Sequence, residues 1–266
     1  MATIRPNEIS LTTNHLHLCV TATDTVVSSA TGFVYKHRER LFLVTNWHNV
    51  SGKDPTTGLF LPGGGAIPDM VTTMFRTKGA PGNCAREQLP LYADDKLLQP
   101  LWFEHPIYRS AVDVVALPLP DELFSRYDFF PINDVQFDSG FPPEVADEAY
   151  VIGYPFFDCT YLQLPIWKKA SIASEPDVNV DQLPKMLIDT ATRPGLSGSP
   201  VVMQRTGIHG MKDGKVAADT IIGRIRTFLG VYSGRIGADD LKAQLGVVWK
   251  AHVVEEIVLA GHQGHA

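Results

Sequence analysis

The sequence predicts an all-β protein built as two small antiparallel β-barrels of about six strands each, closed by a C-terminal α-helix. Three observations predict it. Short β-branched and apolar runs recur along all 266 residues; 22 glycines and 19 prolines punctuate them; helical periodicity is confined to the C-terminal end.

The first run, His15-Leu16-His17-Leu18-Cys19-Val20, alternates with period two, as a half-buried strand does. Thr31 to Tyr35, Leu41 to Thr45, Val71 to Phe75, Leu97 to Phe103 and Val114 to Leu119 complete six candidates in the first half. The second half repeats the style at Ala149 to Gly153, Tyr161 to Ile172, Lys185 to Asp189, Pro200 to Met203, Phe228 to Tyr232 and Leu245 to Trp249. Residues 51–68 and 76–95, rich in Gly, Pro and Asp, read as long loops. Phe130 to Pro143 carries three prolines and reads as the link, which divides the chain into residues 1–130 and 131–266. Within Ala251 to Ala260, Val253, Val254, Ile257 and Val258 share one helical face, and Gly261 suits a C-cap.

Composition narrows the function classes. The chain is 44% hydrophobic with a net charge of −6 and no basic stripe, which argues against a nucleic-acid partner. No apolar stretch approaches the length of a membrane span, so no membrane partner is expected. The N-terminal residues lack the apolar run of a secretory signal, and the expected location is cytoplasmic. Cys19, Cys84 and Cys159 are few and widely spaced and read as reduced thiols. His15 and His17 share a strand face but have no evident third ligand, and His262 and His265 lie in a tail expected to fray. No metal or cofactor is expected. Gly63-Gly64-Gly65 is not a phosphate loop, because no Gly-Lys-Ser/Thr follows.

Three stretches carry residues suited to acyl transfer. In Arg193-Pro194-Gly195-Leu196-Ser197-Gly198-Ser199-Pro200, glycines on both sides of Ser197 permit a sharp turn that exposes a hydroxyl beside backbone N–H groups. In Leu41 to Val50, an apolar strand ends in Thr45-Asn46 and His48 follows on the next turn. In Ser110 to Leu117, Asp113 directly precedes an apolar strand, where a buried carboxylate needs a partner such as an imidazole N–H. Each stretch alone also reads as ordinary structure: a Gly/Ser surface turn, a structural histidine, a strand-initiating aspartate. The order His, Asp, Ser excludes the α/β-hydrolase arrangement, which runs Ser, Asp, His on a β-α alternation absent here.

At these residues the sequence resembles the trypsin-like (chymotrypsin-fold) serine peptidases, in particular their bacterial-type members. Gly195 to Pro200 is similar to that family's nucleophile motif, and Thr31-Gly32-Phe33 with Leu43 to His48 resembles its histidine region. Asp113-Val114-Val115-Ala116-Leu117 resembles its aspartate strand, and Gly230-Val231-Tyr232-Ser233-Gly234 its cleft strand. The resemblance implies two orthogonal six-stranded antiparallel β-barrels with the active site between them. It implies His48 as general base, Asp113 as its orienting acid, Ser197 as nucleophile and the N–H groups of Gly195 and Ser197 as the oxyanion hole. The activity implied is endopeptidase cleavage of a peptide or protein substrate; a peptidase-like module that binds peptide without cleaving it is the alternative.

The same resemblance places Ala191, with Thr192, at the base of the pocket for the side chain preceding the scissile bond. Ser233 and Gly234 would line its open side, Arg235 would reach towards it, and Asp189 would lie deeper in its strand. Ala191 suits a small or medium apolar side chain, whereas Arg235 would favour an acidic one. Two features depart from the family's animal and secreted members. Leu196 stands where the former carry an aspartate that pairs with a freed N-terminus, so no activating cleavage is expected. Trp47 and Asn49, not cysteines, flank His48.

Overall fold

The computed structural model describes residues 5–61, 66–80, 82–155, 163–191, 193–211, 213, 215–218, 220–235 and 244–265. The apolar runs of the first half become β1 (Thr13–Val20), β2 (Thr25–His37), β3 (Arg40–Thr45), β4 (Met70–Thr77), β5 (Cys84–Pro90), β6 (Phe103–Glu104), β7 (Val115–Pro118) and β8 (Tyr127–Asp128). They pair antiparallel in the order β5-β4-β1-β2-β3-β7-β6, and β8 adds to β4. The second half supplies β9 (Glu148–Gly153), β10 (Ile166–Ile172), β11 (Lys185–Asp189), β12 (Pro200–His209), β13 (Ile221–Arg235) and β14 (Leu245–Lys250). These six close into a barrel in the order β10-β11-β14-β13-β12-β9. The all-β class is as expected.

The first sheet has eight strands where six were expected, because β5 and the two-residue β8 add to it. β5 reads Cys-Ala-Arg-Glu-Gln-Leu-Pro with only Leu89 buried, so its pairing with β4 leaves no hydrophobic alternation to detect. The run Leu97 to Phe103 shrinks to β6, because Pro100 makes only an isolated bridge to Tyr92.

Three α-helices are described. α1 (Glu8–Thr12) was missed by the periodicity because it is one turn long; the Asn7 side chain caps it by accepting from the Ile9 N–H at 3.0 Å. α2 (Trp47–Ser51) carries His48, and α3 (His252–Ala260) ends at Gly261, whose φ of 58° suits glycine. The tail beyond α3 is docked, correcting the expectation that it frays. Glu104 N–H donates to the His262 carbonyl and Gly264 N–H to the Trp102 carbonyl, both at 2.9 Å, while His265 Nδ1 meets the buried Glu104 carboxylate at 2.7 Å. Cys19 and Cys84 are free thiols, and Cys159 lies outside the described residues.

The two sheets share a core. Phe33, Phe42, Val44, Val112, Val114 and Ala116 of the first half pack with Val231 and Trp249 of the barrel and with Val253, Val254, Ile257 and Val258 of α3. Ile257 is fully buried there. Ile257→Ala should therefore lower unfolding stability by about 2–5 kcal/mol. In chemical denaturation, the tryptophan fluorescence and far-ultraviolet dichroism transitions should shift together, because one core serves both sheets.

Candidate active site

Strand register brings the histidine and the aspartate together. β3 and β7 run antiparallel with Thr45 opposite Val115, so the chain leaving β3 and the chain entering β7 emerge at the same edge. Residues 46–48 turn into α2 there, and Asp113 sits two residues before β7. The Val114 N–H donates to the Val112 carbonyl at 2.8 Å, a three-residue turn centred on Asp113. Val112 and Val114 are fully buried on either side, which fixes the carboxylate between them.

That carboxylate is buried and well satisfied. Its Oδ1 accepts the His48 backbone N–H at 2.8 Å, and its Oδ2 meets His48 Nδ1 at 2.6 Å. Ser233 Oγ donates to the same Oδ2 at 2.5 Å. An ionised carboxylate can only accept, so Nδ1 carries the proton and the free ring nitrogen, Nε2, keeps its lone pair. Asn46 Nδ2 donates to the Asp113 carbonyl at 2.7 Å, holding the two strand ends in register. Burial of the ring disfavours the imidazolium. The adjacent Asp113 charge and hydrogen bond, with Asp54 contributing from further away, outweigh it and raise the His48 pKa above its ordinary value of 6.5.

Ser197 is presented by two successive tight turns. In the first, Leu196 N–H donates to the Arg193 carbonyl at 3.4 Å across Pro194 and Gly195, and Gly195 has φ of +93°. In the second, Ser199 N–H donates to the Leu196 carbonyl at 3.0 Å across Ser197 and Gly198, and Gly198 has φ of +85°. Both have the positive φ at the third position that a type II turn requires. Space excludes a side chain at either glycine as well. A Cβ on Gly195 would stand 2.3 Å from the Tyr154 carbonyl oxygen, and one on Gly198 2.1 Å from that of Thr31. Leu196 points inward and is buried in the barrel core, so apolar packing anchors the turn where the family's animal members use an ion pair.

Hydrogen bonds tie this turn to the first sheet. Thr31 N–H donates to the Ser197 carbonyl at 2.9 Å, and Thr31 Oγ1 donates to the Gly195 carbonyl at 2.8 Å while accepting the Tyr154 N–H at 3.0 Å. Thr45 Oγ1 donates to the Thr31 carbonyl at 2.9 Å, and Asn49 Nδ2 of α2 donates to Thr45 Oγ1 at 3.0 Å. A chain of side-chain and backbone bonds thus runs from the helix of His48 to the turn of Ser197.

His48, Gly195 and Ser197 line one cleft of about 210 Å³. Among the described residues, no hydrogen bond joins Ser197 Oγ to the imidazole, and the N–H groups of Gly195 and Ser197 have no acceptor. Ala191 is exposed just beyond β11, and Ser233 and Gly234 are half-buried on β13. Asp189, expected deeper in its strand, ends β11 and is exposed. Thr192 and the Arg235 side chain lie outside the described residues. Sequence reasoning did not find the roles of Thr31, Thr45, Asn46 and Asn49, nor that Ser233 bonds Asp113. The one available signal was polar residues inside apolar strands, which must find partners when buried.

Thr31→Val keeps the shape and removes the hydroxyl, leaving the Tyr154 N–H and the Gly195 carbonyl without their buried partner. A loss of about 1–3 kcal/mol in denaturation midpoint measurements is expected, together with a shifted amide resonance for Ser197.

Residues 30–211 match the trypsin-like peptidase domain. A crystal structure of the Rv3671c protease in an inactive form aligns with a TM-score of 0.46 at 19% identity, covering 95% of this chain and 89% of that one. None of the curated proteins matches. No helix among the described residues is long and apolar enough to cross a membrane. The matched domain spans most of the chain, and the chain belongs to the trypsin-like peptidase family, a peptidase of chymotrypsin-like fold acting on peptides or proteins.

Proposed function

We propose that the protein is a serine endopeptidase in which His48, Asp113 and Ser197 form a catalytic triad and peptide bonds are cleaved through an acyl-enzyme. The observation that carries the reading is the His48 imidazole, bonded through Nδ1 to buried Asp113, at the wall of the same cleft as Ser197. Residues 1–130 supply the base and its acid, and residues 131–266 the nucleophile.

In this mechanism Nε2 of His48 takes the Ser197 proton as Oγ attacks the substrate carbonyl carbon. The resulting oxyanion accepts hydrogen bonds from the N–H groups of Gly195 and Ser197. The intermediate collapses, the carbon–nitrogen bond breaks, and His48 returns its proton to the departing amine. Water, activated by the same imidazole, then releases the acyl group from Ser197. Asp113 stays ionised throughout and stabilises the imidazolium that forms at each step. On the acyl side, Ala191, Thr192, Ser233, Gly234 and Arg235 are the proposed substrate contacts, with strand pairing along β13.

A second reading, a peptide-binding module without turnover, is favoured by one observation: the missing hydrogen bond between Ser197 Oγ and His48. Catalytic hydrogen bonds in ligand-free sites are often long and tighten in the substrate complex, so it does not outweigh the first. A fluorophosphonate probe separates the two. The wild type should be labelled at one site, Ser197→Ala should not be labelled, and Ser197→Ala and His48→Ala should each slow peptide cleavage by roughly 10³ or more. An unlabelled wild type, or near-normal turnover in either variant, contradicts the triad.

A further inference from the structure

The cleft that holds His48 and Ser197 extends away from β13. Its remaining wall comes from β2, through Val27, Ser28 and Ser29, and from the segment after α2, through Leu61, Ala66 and Pro68. Among the described residues, none of β13 lines it. With the acyl half of a substrate along β13, this part of the cleft receives the half that departs as the amine.

Two apolar side chains here are held by specific backbone devices. β1 and β2 shift register at a bulge: Leu18 faces Ser28 and Cys19 faces Val26, leaving Val27 as the extra residue. A bulge re-aims its side chain out of the regular alternation, and Val27 is partly exposed on the cleft wall. Leu61 is tied to the helix of His48 by two steps. Its N–H donates to the Gly52 carbonyl at 2.9 Å, and the Gly52 N–H donates to the His48 carbonyl at 3.1 Å. The chain between is a small hairpin, bridged at Lys53 and Phe60 and held by Asp54, whose Oδ1 accepts the N–H groups of Thr56 and Thr57 at 2.8 Å each. Its end leaves Leu59 69% and Phe60 52% exposed. Among the described residues, His48 is the one titratable side chain that lines the cleft. The Asn49 amide is already bonded to Thr45 Oγ1.

We infer that Val27 and Leu61 form an apolar recognition site for the substrate side chain immediately after the scissile bond, so that the leaving amine carries an aliphatic or aromatic side chain. A charged side chain would lose hydration against Val27 and Leu61, neither of which offers it a hydrogen bond. The inference rests on the serine peptidase reading and deepens it.

Capture of the acyl-enzyme by added amines tests it. With an activated ester as acyl donor, the nitrogen of an amino-acid amide attacks the acyl carbonyl. A peptide bond forms, the ester bond to Ser197 breaks, and the amine's proton passes through His48 to Ser197 Oγ. Partition between this product and hydrolysis reads amine affinity independently of the acylation rate. Leucinamide and phenylalaninamide should be captured about tenfold or more better than glycinamide or aspartamide. Leu61→Asp and Val27→Asp should each erase most of that preference and raise capture of lysinamide. An acyl-enzyme that takes all amides alike, or whose preferences neither variant changes, overturns the recognition site and leaves the triad standing. Failure to form an acyl-enzyme overturns both.

Discussion

Thr31 bonds with both its backbone and its hydroxyl across the boundary between the two sheets, and the geometry around Ser197 depends on those bonds. Its N–H holds the Ser197 carbonyl, and its hydroxyl holds the Gly195 carbonyl. A serine on a double turn has little local structure of its own, because glycine neighbours lower the cost of the unusual backbone without selecting it. Selection comes from outside. Thr31 fixes the carbonyls on one side of the turn, the burial of Leu196 fixes the other, and the close approach of Thr31 and Tyr154 leaves no room for a side chain at Gly198 or Gly195. With Thr45 and Asn49 the constraint continues to α2, so Ser197 and His48 are positioned by one connected network.

The Asp113 carboxylate imposes the complementary constraint. A charge with 2% exposure is costly unless its lone pairs are filled, and three donors fill them: the His48 N–H, His48 Nδ1 and Ser233 Oγ. One of the three is the His48 ring N–H, so turning the imidazole away would strip one of the three donors from a buried charge. The third comes from the barrel, so the aspartate also joins the halves. The bonding that keeps the ring in the tautomer with Nε2 free is therefore part of what keeps the fold together.

The strands with two-residue alternation were readable from sequence because burying one face of a sheet leaves that imprint. The C-terminal helix was readable from the spacing of its four buried aliphatic residues. The candidate site was readable because acyl transfer needs residue types that sit at strand ends and in glycine-flanked turns: Ser197 between Gly195 and Gly198, His48 after Asn46, Asp113 before Val114. β5 escaped because an edge strand with one buried residue has no such imprint. The docked tail escaped because its order comes from Glu104 and Trp102, far away in sequence. Thr31 and Asn49 looked like ordinary strand and helix residues, since their importance lies in partners more than 100 residues away: the Gly195 carbonyl for Thr31 and, for Asn49, the Ser197 carbonyl that its Nδ2 meets at 3.5 Å. Tertiary hydrogen bonds of this kind have no local signature.

The account stands or falls on whether His48 and Ser197 act as one unit despite lying in different halves of the chain. Pre-steady-state acylation with a chromogenic ester, followed across pH, measures this directly. The account predicts a burst of one leaving group per chain. Its rate should fall as pH drops through an ionisation above 6.5, because only neutral His48 accepts the serine proton and Asp113 raises the pKa of that imidazole. Absence of a burst, or a burst rate indifferent to pH across that range, would contradict the account.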